Sequence, residues 1–390
     1  MKNTTSMNLP SGTVIGVIGG GQLGKMLIEA SRPWNTPYIV LENDLDCPAS
    51  QVAASVLLGK LTDGDKIAEL AAQCDVLTYE IEHINSDALL ALEHSGKRII
   101  PSAKALKIIQ DKGLQKSFYA KHGIATAPFV LCDNQEALKA SMDQFSGERV
   151  VIKQRTGGYD GKGADIVSKA AVLSGDYQTP GPCVVEQFYS NITEYAVIVA
   201  ADQHGHVLSY PLIEMYFNPK SNLVEFLFSP AETSPTLEEN CREIAIKAVA
   251  AIGSPGLFAV ELFVTENAEV LVNEIAPRPH NSGHHTIEGS YTSQFEQLNR
   301  ILLGLPLGDT GMVQPAAMVN LVGAAGQFGS YSLPATRELL SMPGVYVHLY
   351  NKKEIKPDRK MGHITVLAPN MDELLEKARK VQALAVFETH

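Results

Sequence analysis

Short apolar runs alternate with segments of helical periodicity through the N-terminal part of the 390-residue chain. The runs lie at residues 13–18, 38–42 and 76–79, and amphipathic segments such as 63–72 and 88–94 separate them. A short, continuous apolar run is typical of a strand that is buried on both faces, and helices between such strands indicate parallel pairing. The pattern therefore predicts a doubly wound open sheet, whose ligands would lie at the carboxyl ends of its strands.

The pattern of apolar positions changes near residues 100–125, where we predict a domain boundary. Beyond it, regular βα repeats give way to successive strands, such as the run at 183–188. The runs at 256–264 and 268–275 predict an antiparallel hairpin that turns near Glu266.

The first predicted strand leads into a glycine-rich turn, Gly19–Gly24, that matches the pattern G-x-G-x-x-G. Such a turn can place a phosphate on a helix N-terminus, and Glu42, at the end of the second strand, could bind a ribose. A nicotinamide-dependent dehydrogenase is therefore one interpretation, although many α/β domains begin this way without such a cofactor. Glu80 and Glu82 follow the run at 76–79 and could touch a ligand, but acids at this position more often cap the next helix or pair with a neighbour.

A second glycine-rich segment, residues 157–163, follows a β-branched run that ends in Lys153. Glycine allows backbone conformations that turn N–H groups towards a phosphate, and a lysine adds positive charge for the same group. The order of residues is not that of a Walker A loop. An ordinary surface hairpin is the alternative, and the motifs that follow in the chain argue against it.

Two acids interrupt the apolar strands of the predicted hairpin, Glu261 in the first strand and Glu274 in the second. A buried charge is costly unless it is paired or binds a metal, and Mg²⁺ binds through one or two carboxylates together with substrate phosphates. The two acids therefore indicate either a magnesium site or a pair of arginine-bound carboxylates. The next loop, residues 276–285, contains Arg278 and three histidines. Their spacing matches no familiar zinc site, so a substrate-contacting loop is the better interpretation.

Residues 313–390 predict a smaller C-terminal α/β unit. The densest basic cluster of the chain, residues 352–360, lies between two of its predicted strands. This cluster is either a solvated hairpin tip, as charge runs usually are, or a clamp for a phosphate.

The composition narrows the range of partners and compartments. A net charge of −11 argues against nucleic acid or an anionic membrane as a partner. The five cysteines are dispersed, without a C-x-x-C pair, as is typical of a reducing compartment. No apolar run approaches the roughly 20 residues of a membrane span, and the N-terminus lacks the apolar segment of a signal peptide. We expect a soluble, cytoplasmic protein.

Taken together, these motifs resemble those of the ATP-grasp superfamily and, within it, of the 5-(carboxyamino)imidazole ribonucleotide synthases. The matching segments cover nearly the whole chain and are GGGQLGKML at 19–27, YEIEHI at 79–84, KQRTGGYDGKG at 153–163, VEQF at 185–188, NEIAPRPHNSGHHT at 273–286 and KPDRKMGHIT at 356–365. The third and fifth segments are long and unusual, and therefore far more specific than the glycine fingerprint. Formate-dependent and glycinamide-type ATP-grasp ligases share the frame and are the alternative within the superfamily.

The resemblance implies an α/β protein with an ATP-grasp fold. Its parts would be an N-terminal Rossmann-like (pre-ATP-grasp) domain at 1–110, a two-part ATP-grasp domain at 111–310 with ATP between the parts, and a small C-terminal α/β domain at 311–390. The implied reaction is the ATP- and bicarbonate-dependent carboxylation of 5-aminoimidazole ribonucleotide, via carboxyphosphate, in purine biosynthesis. The implied cofactors are ATP and Mg²⁺, and the implied assembly is a homodimer.

The resemblance also implies roles for single residues. Residues expected to contact ATP are Lys112, Lys153, Gly158, Tyr159, Asp160, Gly161, Lys162, Gly163, Glu186, Gln187, Phe188, Glu194, Asn273 and Glu274. Residues expected to face bicarbonate and the aminoimidazole are Tyr159, Asp160, Lys162, Arg278 and His280. The expected Mg²⁺ ligands are Glu261 and Glu274, and the residues expected to bind the ribonucleotide are Gln22, Leu23, Lys352, Lys353 and Arg359.

Some assignments stay open at this point. Lys112 and Lys162 stand where other members often carry arginine, and lysine cannot bind a phosphate in the bidentate geometry of arginine. Either Lys352 or Lys353 could contact the substrate phosphate, and either Asp160 or His280 could take a proton from the amine. Two other classes are alternatives to the ligase: the dehydrogenase, and a regulator that binds nucleotide without catalysis.

Overall fold

The structure is a computed structural model that describes residues 12–158, 163–217 and 224–390. Its N-terminal part contains a five-stranded parallel sheet in the order β3-β2-β1-β4-β5. The elements are β1 (Ile15–Ile18), α1 (Gln22–Ala30), β2 (Tyr38–Glu42), β3 (Ser55–Leu58), α2 (Gly64–Ala72), β4 (Val76–Tyr79), α3 (Ser86–His94) and β5 (Arg98–Ile99). Every residue of β1 and β4 is buried, as expected for strands that are covered on both faces. The predicted parallel sheet is confirmed.

Two helices follow this sheet, in the region where the sequence pattern predicted a domain boundary. They are α4 (Ala103–Gln110) and α5 (Lys112–Lys121). Asp111 separates them, because its backbone is extended and its carboxylate accepts hydrogen bonds from the backbone N–H groups of residues 113 and 114. An N-cap of this kind starts a new helix. Lys112 thereby becomes the first residue of α5.

A four-stranded antiparallel sheet comes next, in the order β6-β9-β7-β8. Its elements are β6 (Phe129–Cys132), α6 (Gln135–Ser141), β7 (Arg149–Gln154), β8 (Ala164–Ser168), α7 (Lys169–Ser174) and β9 (Cys183–Gln187). The two helices pack on the strands and form one apolar core with them. The sequence pattern did not predict β8, since four of its five residues are exposed and it lacks an apolar run.

The largest sheet has nine antiparallel strands within the described residues, in the order β15-β14-β10-β12-β13-β16-β19-β18, with β11 paired to β10. The strands are β10 (Ile192–Ala201), β11 (Val207–Ser209), β12 (Ile213–Phe217), β13 (Val224–Ser229), β14 (Gly256–Thr265), β15 (Val270–Ala276), β16 (Ala316–Val322), β18 (Val345–Leu349) and β19 (Lys360–Leu367). A short separate pair is formed by β17 (Tyr331–Ser332) and β20 (Glu388–Thr389). The predicted hairpin is confirmed, because β14 and β15 are antiparallel neighbours.

The nine-stranded sheet crosses residue 310 without interruption. Phe226 of β13 pairs with Val319 of β16, so main-chain hydrogen bonds join the central and C-terminal parts of the chain. The predicted division of the chain at residues 110 and 310 stays a prediction. The helices of this region are α8 (Pro235–Ile252), α9 (Thr286–Gly289), α10 (Gln294–Leu303), α11 (Thr336–Ser341) and α12 (Met371–Leu384).

Helix α10 is largely buried, and it buries polar residues as well as apolar ones. Gln294, Gln297 and Asn299 are all completely buried. Tyr38 of the N-terminal sheet donates a hydrogen bond to Asn299 Oδ1, which joins the first and third sheets through this helix. Buried amides are tolerated when their donors and acceptors are paired. Within the described ranges, no helix is long and apolar enough to cross a membrane.

Candidate active site

Charged side chains meet where the four-stranded sheet faces the nine-stranded sheet. Lys153 and Glu186 share one face of the small sheet, because Glu186 pairs with Val151, two residues before Lys153 on β7. Lys153 Nζ lies 3.1 Å from the Glu186 carboxylate and 2.8 Å from Asn273 Oδ1 on the large sheet. Lys153 therefore links the two sheets. We call the group formed by Lys112, Lys116, Lys153, Glu186, Glu261 and Glu274 the charged cluster.

A β-bulge turns two consecutive residues of β15 towards this cluster. Glu261 of β14 pairs with Glu274, and the register then shifts by one residue, so that Asn273 is the extra residue. Consecutive side chains of a strand normally point to opposite faces, but a bulge re-aims them. As a result Asn273 contacts Lys153 while Glu274 forms an ion pair with Lys112.

Glu261 and Glu274 lie directly opposite each other on neighbouring strands. The positive charge of Lys112 lowers the pKa of Glu274 to about 2, whereas burial and the charge of Glu274 raise the pKa of Glu261 to about 8. Two carboxylates placed opposite each other could hold a divalent cation, and oxygen donors suit Mg²⁺. The alternative of two arginine-paired acids is wrong, because a lysine pairs with Glu274 and His280 Nε2 lies 3.5 Å from Glu261.

The sequence pattern did not single out Lys116, since a lysine on a helix is usually solvated. In the structure Lys116 is only 2% exposed, and its Nζ lies 3.1 Å from Glu186 and 2.7 Å from Thr126 Oγ1. Burial lowers the pKa of Lys116 to about 8, against the opposing effect of Glu186. Burial opposes ionisation of Glu186 as well, but Lys116 and Lys153 outweigh it and lower the pKa of that acid. The spacing of the lysines could have indicated that Lys116 belongs to the site, since it follows Lys112 by four residues and lies on the same face of the helix.

Of the three consecutive residues Glu186, Gln187 and Phe188, all expected to contact ATP, only Glu186 joins the charged cluster. Gln187, the next residue on β9, accepts a hydrogen bond of 2.9 Å from the backbone N–H of Ser146, in the loop before β7. The ring of Phe188 lies 4.2 Å from the guanidinium carbon of Arg149. Glu194 on β10 lies close enough to the cluster to interact with Lys153 and Glu274, and burial raises its pKa to about 7.

The second glycine-rich segment connects β7 to β8. Gly157 and Gly163 have φ angles of 82° and 83°, which residues with a Cβ rarely adopt. A Cβ on Gly163 would lie 3.3 Å from Gly158 Cα, so the two ends of the segment are close together. Arg155 pairs with Asp111 at 2.7 Å, which fixes the start of the segment beside α5. The predicted site residues Tyr159, Asp160, Gly161 and Lys162 lie outside the described residues.

The first glycine-rich turn binds the protein's own acids. Glu80 accepts hydrogen bonds from Gly21 N and Gly24 N at the N-terminus of α1, and Glu42 accepts one of 2.8 Å from Gly20 N. These are the amides that would bind a pyrophosphate in a dinucleotide site. The arrangement therefore argues against the dehydrogenase and against a ribose role for Glu42. Glu80 caps the helix that precedes it in the chain, not the one that follows.

Glu82 joins the N-terminal unit to the loop after β15, because its Oε1 lies 3.0 Å from Arg278 Nε. The prediction that this acid pairs with a neighbour is confirmed. In the same loop, His280 Nδ1 accepts a hydrogen bond of 3.3 Å from Ser282 N. A backbone N–H can only donate, so in a neutral imidazole that accepts this hydrogen bond the proton lies on Nε2, the atom beside Glu261. His280 is thus oriented as a hydrogen-bond donor towards the charged cluster.

The C-terminal basic segment lies against the N-terminal unit. Lys353 is 72% exposed and pairs with Asp46 at 2.5 Å, whereas Lys352 Nζ donates to a backbone carbonyl at 2.7 Å and lies 5.7 Å from the Tyr350 ring. Arg359 donates a hydrogen bond of 2.7 Å to the carbonyl of residue 354. The geometry favours Lys352 as the inner of the two lysines. The other predicted ribonucleotide contacts, Gln22 and Leu23, are the first residues of α1, and Leu23 is buried in the core.

Three family models match the chain in succession. They are the ribonucleotide synthetase preATP-grasp domain at residues 13–110, the ATP-grasp domain at 117–295 and the phosphoribosylaminoimidazole carboxylase C-terminal domain at 316–377. With the two sheets and the charged cluster between them, these matches define an ATP-grasp protein, and the predicted fold class is confirmed.

Individual relatives are more specific. The chain is 35% identical to the N5-carboxyaminoimidazole ribonucleotide synthase of Bacillus subtilis, over 94% of each chain. It resembles the crystal structure of N5-carboxyaminoimidazole ribonucleotide synthetase from Thermotoga maritima, with a TM-score of 0.88, 39% identity and coverage of 97% of this chain and 100% of the other. It also resembles the Aspergillus clavatus synthase in complex with ADP and the aminoimidazole ribonucleotide, with a TM-score of 0.86, 33% identity and coverage of 96% and 98%. The chain therefore belongs to the N5-carboxyaminoimidazole ribonucleotide synthase family of ATP-grasp ligases.

Some matched relatives are longer than this chain. This chain spans about two thirds of the length of the plant and fungal phosphoribosylaminoimidazole carboxylases, for example 65% of the Vigna aconitifolia protein.

Proposed function

We propose that this chain catalyses the ATP- and bicarbonate-dependent carboxylation of 5-aminoimidazole ribonucleotide in purine biosynthesis. The product, 5-(carboxyamino)imidazole ribonucleotide, is the compound in the family's name. The observation that supports this proposal most strongly is the charged cluster, in which two facing carboxylates and three lysines meet between two sheets.

The charged cluster suits phosphoryl transfer to bicarbonate. Bicarbonate is a poor electrophile, and transfer of the γ-phosphoryl group of ATP converts it to carboxyphosphate, with ADP as the other product. The exocyclic amine then attacks the carboxyl carbon, and phosphate leaves. Such a transfer depends mainly on positioning and on neutralisation of negative charge. Lys112 and Lys153 would supply positive charge to the phosphates. Lys116, the most buried of the three lysines, would keep Glu186 ionised.

The residues present also fit a magnesium ion. Glu261 and Glu274 would hold it, and their mutual repulsion is relieved when a cation lies between them. Bound there, Mg²⁺ would neutralise part of the charge on the transferred phosphoryl group.

The loop after β15 would serve the second half of the reaction. Arg278 is fixed by Glu82, and His280 directs its Nε2–H towards Glu261. Because that nitrogen carries the proton, we assign His280 the role of hydrogen-bond donor and Asp160 the role of base. Asp160→Asn should then abolish carboxylation while ATP affinity stays nearly intact. Unchanged turnover would remove Asp160 from the mechanism.

One assay tests the proposed function against its alternatives. ADP release is followed in a coupled assay with and without bicarbonate and 5-aminoimidazole ribonucleotide. We expect ADP release to require bicarbonate and to rise with the ribonucleotide. A regulator would bind ATP without ribonucleotide-stimulated ADP release, and a formate-dependent or glycinamide-type ligase would respond to its own substrate instead.

The remaining assignments are part of the same proposal. They are the ATP and ribonucleotide contacts of single residues, the division of the chain at 110 and 310, a cytoplasmic location and a homodimer. The motifs shared with the family support the single-residue contacts, and sedimentation analysis would test the homodimer.

A further inference from the structure

Gln294, the first residue of α10, contacts the backbone of His280 at two points. Its Oε1 accepts a hydrogen bond of 2.9 Å from His280 N, and its Nε2 donates one of 2.8 Å to His280 O. The same Nε2 lies 3.0 Å from His284 Nδ1. Gln294 is completely buried, so both ends of its amide are committed within the protein.

Neighbouring residues make room for the side chain of Gln294 and hold its backbone in place. A Cβ on Gly283 would overlap with the amide group of Gln294, so glycine is needed at position 283 for the glutamine to reach the loop. The backbone N–H of Gln294 donates a hydrogen bond of 2.9 Å to Thr286 Oγ1, which itself donates to the carbonyl of Gly283 at 2.6 Å. The loop between β15 and α9 is therefore tied to the start of α10.

Two contacts at one residue fix the orientation of that residue as well as its position. The side chain of His280 extends from this backbone to within 3.5 Å of Glu261. A two-point hold on His280 N and O restricts rotation of the backbone, and thereby the direction in which Nε2–H points. Displacement of a reacting group by about 1 Å can cost 10²-fold in rate.

We propose that Gln294 is a positioning residue for the carboxylation step, acting through His280. This inference rests on the proposed function, since it assigns His280 a contact with the reacting groups. Without the amide of Gln294, His280 stays in the loop but no longer directs its donor correctly. Carboxyphosphate would then form at the normal rate and be lost to water more often, because capture by the amine is the step that His280 serves.

The chain provides a matched control on the same helix. Gln297 is also completely buried, and it holds Gly308 in the same two-point manner, with Nε2 to Gly308 O at 2.9 Å and Gly308 N to Oε1 at 2.8 Å. Gly308 lies outside the charged cluster and outside the loop after β15. Loss of either glutamine removes an equivalent pair of buried hydrogen bonds, but only one of the two pairs holds a proposed site residue.

The experiment compares Gln294→Met with Gln297→Met in the full-length protein. Both variants should lose similar thermal stability. Gln294→Met should lower kcat for carboxylation by roughly 10- to 100-fold with an unchanged KM for ATP, and should raise the ratio of ADP to carboxylated product above that of the wild type. Gln297→Met should keep kcat and this ratio within about threefold of the wild type, as expected of a change remote from the site.

The ratio of ADP to product separates positioning from simple structural loss, because partial unfolding removes active molecules without changing the stoichiometry of those that remain. Equal losses in the two variants, with an unchanged ratio in both, would overturn the inference. If Gln294→Met does not fold, Gln294→Glu replaces it, since it keeps the acceptor for His280 N and loses the donor to His280 O. A wild-type ratio in the glutamate variant would also overturn the inference. Failure of the proposed function would look different, as the wild type itself would show no ribonucleotide-stimulated ADP release.

Discussion

The nine-stranded sheet carries two polar clusters that differ in charge. At one end, β14 and β15 contribute acids to the charged cluster, where lysines lie within 3.1 Å of Glu186. Towards the other end, His284, His348 and His363 form a histidine cluster, in which the rings of His348 and His363 stack at 4.4 Å. Tyr350 OH lies 2.9 Å from His363 Nδ1.

Burial opposes ionisation in both clusters, but only the charged cluster contains opposite charges that can outweigh it. Lys112 lowers the pKa of Glu274, and Lys116 and Lys153 lower that of Glu186. In the histidine cluster burial lowers the pKa of His284 and of His363 well below the usual value, so both imidazoles stay neutral. Charged groups can exchange their present partners for a phosphate or a cation. Neutral histidine rings that pack between strands mainly hold those strands together. This difference favours the charged cluster as the proposed ligand-binding site.

Replacement of a carboxylate in the charged cluster, compared with one beside the histidine cluster, should give the largest contrast. Glu274→Gln removes a proposed Mg²⁺ ligand and the partner of Lys112, and should lower bicarbonate-dependent ADP release by roughly 10²- to 10³-fold. Glu288→Gln alters an acid that lies 2.8 Å from His348 Nε2 in the other cluster, and activity should stay near that of the wild type. Steady-state kinetics measure both. Near-normal turnover in Glu274→Gln would contradict the assignment of the charged cluster.

Removal of the buried lysine should show that the charged cluster also contributes to stability. Lys116→Met leaves Glu186 buried with one lysine fewer, and the free energy of unfolding should fall by on the order of 3 kcal/mol. The double variant Lys116→Met/Glu186→Gln should recover much of this loss, because no unpaired charge remains buried. Chemical denaturation of the two variants and the wild type measures this coupling. Equal stability of the single and double variants would mean that the two residues do not depend on each other.

Acid should destabilise the protein through the buried histidines. Above about pH 6.5 the folded and unfolded states both hold neutral imidazoles, whereas below it the unfolded chain binds protons that the folded protein does not. Stability should therefore decrease as pH falls, down to about pH 4 in the case of His285, whose pKa burial lowers to about 4. Each such histidine contributes about 1.4 kcal/mol per pH unit.

Denaturation curves at several pH values for the wild type and His363→Gln test this expectation. The groups around His363 are Tyr350, His284, His348 and, at longer range, Lys25. The variant should show a shallower dependence on pH. Parallel pH dependences would mean that His363 is protonated in the folded protein as well.

The smallest effect is expected at the exposed end of the basic segment. The ion pair between Lys353 and Asp46 is largely exposed and should contribute little to stability. Lys352→Ala should raise the KM for the ribonucleotide at least about tenfold, as expected for loss of a charge-assisted phosphate contact, whereas Lys353→Ala should change it less than about threefold. The reverse order would reassign the phosphate contact to Lys353.

Several parts of the site were predictable because the sequence pattern reports them locally. The doubly wound sheet, the hairpin with Glu261 and Glu274, and the family all follow from apolar periodicity and from long motifs, and the structure and the relatives confirm them. The burial of Lys116 was not predictable, since solvated and buried lysines look alike on a helix. The dehydrogenase interpretation failed for a similar reason, because the acid that occupies the first glycine turn, Glu80, lies more than fifty residues away in the chain.

The amino-acid sequence by itself determined the elements, the chemical groups and the family of this protein. The tertiary structure alone decided which groups meet. It placed Glu80 in the first glycine turn, turned both Asn273 and Glu274 to one side through a bulge, and brought Gln294 to the backbone of His280. The physical reason is that periodicity records which face of an element is buried, whereas the fate of a charge or an amide depends on the partner that lies opposite it in space.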